Sequence, residues 1–259
     1  MSRGRGGPSR GLGGEQVEGR RAVRELLAAG RRPVRDVWLA EGSDPSPILA
    51  EIEDLARAAR VPVRRVARGR LAAEASSEAP QGVLAHAEPL PEADVDELLR
   101  PRPGAAPPFV LALDGVTDPQ NLGALVRSAE AAGVTGVLLP RHRAVHVTPT
   151  VAKAAAGAVE HVPMAIVAGL PAALAAAGRA GLWVVGLDAG GPTSLFDLTL
   201  ATEPVVVVLG AEGSGLGRLV RERCDVVARI PSAGRLGSLN VAAAGVLALF
   251  EVARHRPAD

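Results

Sequence analysis

From Phe109 onward the chain alternates short, almost uninterrupted apolar runs with helical patterns as far as residue 254, and this alternation constrains the fold most. FVLALDG, TGVLLP, LWVVGLD, VVVVLGAE and DVVARIP show no polar alternation, so strands made from them must be covered on both faces. A further strand is expected near 162–167, and helices over 121–132, near 149–156, over 170–178, from about 216 and over 238–254. The pattern specifies an α/β domain whose parallel sheet lies between helical layers.

Ahead of it, residues 15–87 read as a smaller α/β unit. A helix is expected in EQVEGRRAVRELLAAG, ending at Gly30, and another in PILAEIEDLARAAR, where Ile48, Leu49, Ile52 and Leu55 recur with helical spacing. VRDVWLA, VPVRRVA and GVLAHAE supply strands. The stretch 88–108 holds six prolines and reads as a linker around a short helix. Residues 1–14 are basic and glycine-rich, the composition of a disordered tail.

No apolar run reaches the roughly 18 residues of a membrane span, and the first residues lack the apolar centre of a secretory signal. The single cysteine, Cys224, excludes an intramolecular disulfide and is expected as a small core residue. These features predict a cytoplasmic protein with no membrane partner. The formal net charge of +1 hides an asymmetry: residues 1–70 hold 15 Arg against 9 acidic residues, which marks that end for a polyanion. Five aromatic residues and no Tyr argue against a platform that stacks bases, so an RNA partner would be gripped by shape and phosphates.

The stretch VVVVLGAEGSGLGRLV, residues 205–220, raises the question of a phosphate loop. The only lysine is Lys153, far from this segment, so the lysine-bearing nucleotide loop is excluded. The dinucleotide pattern of three spaced glycines also fails, because the third position falls on Arg218. Glu212 inside the loop would repel a pyrophosphate and would suit a cation, including a sulfonium. The loop is read as clearance for a ligand without phosphates, and a nicotinamide oxidoreductase is set aside.

The only two asparagines, Asn121 and Asn240, each stand at an expected helix start beside glycines, where a capping role is the alternative to a ligand contact. Arg127 follows Gly123 by one turn on the same side, so the missing side chain leaves room under the guanidinium. Ser238 lies between a strand end and a helix rich in Ala and Gly; it too could be a cap.

Three patterns taken in order carry a resemblance: Asn121, Gly123 and Arg127; Gly210, Glu212, Gly215 and Leu216; and Ile230, Pro231, Gly234, Ser238, Leu239, Asn240 and Val241. Together they resemble the signature motifs of the SpoU (TrmH) family of RNA ribose 2′-O-methyltransferases, in the SPOUT class of knotted enzymes. The match covers about 109–256, and residues 15–87 resemble the family's RNA-binding domain, related to kink-turn-binding ribosomal proteins. KAAAGAVEHVP at 153–163 resembles the branch that methylates a guanosine in the peptidyl-transferase loop of large-subunit rRNA. Ser232, Ala155, Ala242 and Pro80 depart from the usual family residues without removing a site residue.

The resemblance implies a deep trefoil knot, a homodimer, and S-adenosylmethionine held largely by backbone at Gly210, Ile230 and Leu239, with no metal. It implies transfer of methyl to a ribose 2′-hydroxyl. On that basis Asn121 and Ser238 orient the ribose, Arg127 grips a phosphate across the dimer interface, Glu212 positions an arginine and Asn240 braces the loop. Lys153 is read as a phosphate contact or a surface residue. The alternatives are a tRNA ribose methyltransferase, an antibiotic-resistance rRNA adenosine methyltransferase and a non-catalytic RNA-binding assembly factor.

Overall fold

The computed structural model describes residues 11–142, 144–235 and 237–256. The first unit runs β1 (Gln16–Glu18), α1 (Arg20–Ala29), β2 (Val34–Ala40), α2 (Pro47–Ala58), β3 (Val63–Val66), α3 (Arg68–Glu74) and β4 (Val83–Ala87). Its sheet has the order β1-β4-β2-β3, with β2 and β3 parallel and the other pairs antiparallel. The helix expected from residue 15 begins only at Arg20. Gly19, at φ 93°, breaks the chain, and Gln16–Glu18 pair with β4, which buries Val17 and Glu18. At its other end the helix stops as expected, with Gly30 in the left-handed region. The short helix α3 has only Leu71 to bury and left no periodic signal in the sequence.

Within 88–108, residues 92–99 are packed against the second unit, while 100–106 are exposed. Ala93 donates to the Met164 carbonyl, Glu92 accepts from Ile166 N–H, and Leu99 is buried below α4 (Val95–Leu98). Of the expected tail, residues 1–10 lie outside the described residues, but residues 11–14 are packed. Leu12 is buried, its carbonyl accepts from Val147 N–H, and Gly13 bridges Val147.

The second unit continues through β5 (Phe109–Asp114), α5 (Pro119–Ala131), β6 (Gly136–Pro140), α6 (Pro149–Ala154), β7 (Met164–Val167), α7 (Leu170–Arg179) and β8 (Trp183–Leu187). It closes with β9 (Thr193–Ser194), β10 (Val205–Gly210), α8 (Arg218–Arg221), β11 (Val226–Arg229) and α9 (Val241–Ala253). All seven strands are parallel, in the order β7-β6-β5-β10-β8-β11-β9. Each apolar run serves two cores. Phe109, Leu111, Leu113, Val205, Val207 and Leu209 face α5 and α9, while Val110, Ala112, Val206 and Val208 face α7 and α8. The first of these cores continues without a break into the N-terminal unit through Leu12, Val23, Leu26 and Val37. Cys224 is half-buried, its thiol beside Gly186 and pushed up to about 11 by burial, which suits a packing residue.

The seam between the units is polar as well as apolar. Arg32 and Glu160, 2% and 1% exposed, form a two-pronged ion pair with contacts of 3.1 and 2.5 Å. The remaining Arg32 donors go to the carbonyls of Gly14 and Glu88. His161 and Glu25 meet at 2.8 Å beside it. Burial pushes the Glu25 carboxyl up, but hydrogen bonds from His161 and Arg24 outweigh it and hold the group below the usual range.

Gly123 does not leave space under Arg127. A Cβ there would lie 2.4 Å from Ala154 Cβ and 2.8 Å from the Val151 carbonyl oxygen, so the glycine is what lets α5 and α6 touch. Gly123→Ala is expected to cost about 1–3 kcal/mol by overpacking, seen as a lower denaturation midpoint at unchanged slope. A neutral result would mean that α6 can back away freely.

Candidate active site

The carboxyl ends of β8, β10 and β11 open onto a cleft of about 600 Å³, the place where open parallel sheets bind ligands. After β10 the chain folds back on itself: Ala211 and Gly215 exchange N–H to carbonyl bonds of 3.1 and 2.9 Å. A Cβ on Gly210 would lie 2.2 Å from the Gly215 carbonyl carbon, so glycine is required for this reversal, and Glu212 is left at its exposed tip. Gly217 N–H bonds the Asp114 carboxylate at 2.7 Å and ties the loop to the end of β5. Residues 238–240, expected as the first turn of the last helix, are non-helical and with Gly237 form a wall of the cleft.

Three loops converge at the rim. Asn240 Nδ2 donates to Glu212 Oε1 at 2.6 Å and to Asn121 Oδ1 at 3.0 Å, and Asn121 Nδ2 donates to Glu212 Oε1 at 3.2 Å. Val241 N–H points at the same carboxylate oxygen at 3.4 Å. Asn121 is free for this contact because Asp118, three residues earlier, caps α5. Asn240 does both jobs: its Oδ1 caps α9 through Ala242 and Ala243, and its amide nitrogen reaches outward. Within the one chain, Glu212 therefore holds two amides. Among the described residues no cation comes within ion-pair distance of it, the donors being supplied by the two asparagines and the start of α9.

Gly210, Ile230 and Leu239 all line the cleft, as do Glu212, Ser238 and Asn240. Leu187, Asp188 and Ala189 line it too, and sequence reading missed them. Their only signal was position at a strand end next to β10. Asp188 is paired with Arg221 at 3.1 Å. Among the described lining residues there are two carboxylates and neither Lys nor Arg, so the cleft suits a ligand without phosphates and with positive charge.

Arg127 and Lys153 are elsewhere. Six positions along α5 from Asn121 amount to a rotation of about 240°, which turns Arg127 to another face of the helix. There both residues border a groove of about 1190 Å³ between the two units.

The comparisons with known proteins agree with this geometry. Residues 108–250 match the model of the SpoU rRNA Methylase family, and residues 16–93 match that for RNA 2′-O ribose methyltransferase substrate binding. The chain belongs to the SpoU rRNA methylase family. It is 42% identical over 245 residues to the 23S rRNA (guanosine-2′-O-)-methyltransferase RlmB of Pseudomonas aeruginosa, covering 93% of this chain and 97% of that one. Among solved structures it is similar to the SpoU methyltransferase AviRb from Streptomyces viridochromogenes in complex with AdoMet. That likeness has a TM-score of 0.76 at 27% identity, covering 93% of this chain and 89% of the other. The AdoMet-bound rRNA methyltransferase from Sinorhizobium meliloti matches with a TM-score of 0.77 at 27% identity, over 94% and 88% of the two chains.

Proposed function

We propose that this protein transfers a methyl group from S-adenosylmethionine to a ribose 2′-hydroxyl of RNA, the target being a guanosine of 23S rRNA. The observation that carries the reading is the cation-free cleft bordered by the Asn121–Glu212–Asn240 cluster, which joins all three motifs. The activity of the Pseudomonas relative and the AdoMet bound to the two similar structures support it. In this reading residues 15–87 hold the RNA, residues 109–256 carry the chemistry, and the protein works in the cytoplasm. The deep trefoil knot of the SPOUT class belongs to the same reading.

Gly210, Ile230 and Leu239, which line the cleft, would hold the cofactor largely through backbone groups. S-adenosylmethionine, when bound, supplies an electrophilic methyl group on a sulfonium. The protein's task is to align a weak nucleophile and help its proton leave, and alignment alone supplies much of such a barrier. Asn121 and Asn240 present amides whose direction Glu212 sets, and Ser238 offers a hydroxyl on the same wall; these orient the ribose. Arginine is always protonated, so Arg127 serves as an electrostatic anchor for phosphate and developing alkoxide, not as a base.

Arg127 reaches the reacting ribose from a second copy of the chain. The outer face of α9 carries exposed Val246, Leu247 and Phe250, with Leu239 exposed just before the helix, and this apolar surface is where the second copy docks. Labelled S-adenosylmethionine with unmodified 23S rRNA or tRNA, followed by primer-extension mapping, tests the reaction; a 2′-O-methyl on neither RNA would overturn it, and one on the tRNA alone would overturn the 23S rRNA target. Arg127→Ala should lower turnover about 10²-fold or more, and Arg127→Lys should stay severely impaired because a point charge does not replace a fork. Near-full turnover in Arg127→Ala would remove the residue from the mechanism.

A further inference from the structure

We infer that the groove between the two units is the seat of the RNA backbone flanking the target nucleotide, an inference that rests on the RNA methyltransfer proposed above. The groove, of about 1190 Å³, receives Arg20, Arg21 and Arg68 from the N-terminal unit and Arg127 and Lys153 from α5 and α6. Among the described residues none of these five cations meets a carboxylate within ion-pair distance. Outside the groove most arginines of the same unit, Arg24, Arg35, Arg57, Arg64 and Arg65, are each paired with one, the exceptions among the described residues being Arg31, Arg60 and Arg70, which do not converge on a cavity. Unpaired cations converging on a cavity are poised for an external anion, because their mutual repulsion has no internal partner to offset it.

The two acidic residues of the groove do not cancel this charge. Glu18 is fully buried and accepts from the Ser76 and Ser77 N–H groups, the Ser77 hydroxyl and Gln16, so its lone pairs are committed. Asp44 alone remains, exposed at the edge.

The wall is also preorganised. Gln81, a non-glycine residue in the left-handed region at φ 57°, accepts the Arg20 N–H on its side chain at 3.0 Å and Arg20 Nε on its carbonyl at 3.2 Å. Arg20 Nη1 then reaches the Ser46 hydroxyl at 3.3 Å. Arg68 binds the carbonyls of Glu41 and Gly42, which hold its fork in place and leave its charge unneutralised. A strained backbone position spent on fixing one guanidinium fits a site whose ligand is anionic. No aromatic side chain lines the groove among the described residues, so bases are not stacked there, and the chemistry recognised is phosphate and ribose.

The test is the salt dependence of RNA affinity for the full chain with an unmodified 23S rRNA transcript. Among the described residues the Arg21 and Lys153 side chains hydrogen-bond to nothing in the chain, so the double variant Arg21→Ala/Lys153→Ala removes charge without removing support. Its slope of log affinity against log salt should shrink by about 0.7–0.9 for each phosphate no longer neutralised, with weaker binding at low salt and unchanged affinity for S-adenosylmethionine. Arg57→Ala/Arg65→Ala, which removes paired cations outside the groove, should keep the wild-type slope. A wild-type slope in the groove variant, from a protein that does methylate the RNA, overturns the groove assignment alone. A wild-type protein that transfers no methyl to RNA overturns the parent reading instead.

Discussion

Glu212→Ala should lower methyl transfer by about 10²-fold or more while lowering the melting temperature by only a few degrees, less than the loss of a buried ion pair would. One carboxylate oxygen collects the Asn240 amide at 2.6 Å, the Asn121 amide at 3.2 Å and the Val241 N–H at 3.4 Å, so three loops take their mutual position from a single atom. Hydrogen bonds to a charged acceptor contribute about 1.5–3 kcal/mol each when solvent is kept away, and the exposed setting argues for the lower end. Losing two of them still amounts to about 3 kcal/mol of positioning, enough for the stated drop in rate. Stability is largely spared because the cluster is at the surface, and the Asn240 cap on α9 does not depend on Glu212. Glu212→Gln should be intermediate, since its amide oxygen can accept only while its NH2 faces other donors. Single-turnover rates at saturating cofactor are the measure; a Glu212→Ala rate within a factor of about three of wild type would show that the cluster does not orient the substrate.

The second large effect concerns stability. Arg32→Ala should destabilise the fold by about 3–5 kcal/mol, because it strands the Glu160 carboxylate in a site that is 1% exposed on that side chain. For a chain of this size that corresponds to a fall in melting temperature of roughly 10 °C. The Arg32 fork also satisfies the carbonyls of Gly14 and Glu88, so the variant leaves polar groups unpaired on both sides of the seam. The apolar pair Arg32→Met/Glu160→Leu should recover part of the loss, since it removes the stranded charge. A single variant that loses less than about 1 kcal/mol in denaturant titration would mean that water enters the seam and solvates Glu160.

The parallel sheet was legible because strands such as Val205–Gly210 are buried on both faces and so carry the apolar signal at every position. The three convergent loops were legible from chemistry that is rare in this chain, above all its two asparagines. What failed was local geometry decided by distant contacts. Asp118, not Asn121, caps α5, and nothing in DPQN distinguishes the two until Glu212 arrives from the far side of the sheet. Gln16–Glu18 looked helical because β4, their strand partner, lies almost 70 residues on. The charge of Glu212 points to an arginine as its partner, and the two amides it binds within the chain carry no such signal. The separation of Arg127 from Asn121, in contrast, was implicit in their six-residue spacing on one helix.

The interdomain seam has a consequence for how a target nucleotide is selected. With Leu12, Ala93 and Arg32 all anchored on the second unit, the RNA-facing surface is not carried on a tether. A tethered module would offer its ligand over a spread of distances, and many nucleotides along a strand could reach the chemistry. On the reading in which Arg127 of one copy serves the cleft of a second, the separation between backbone grip and cleft is set by rigid contacts, the interdomain seam on one side and the interface between copies on the other. The protein then behaves as a caliper: which ribose is modified is measured by length along the RNA, as well as by recognition of its base.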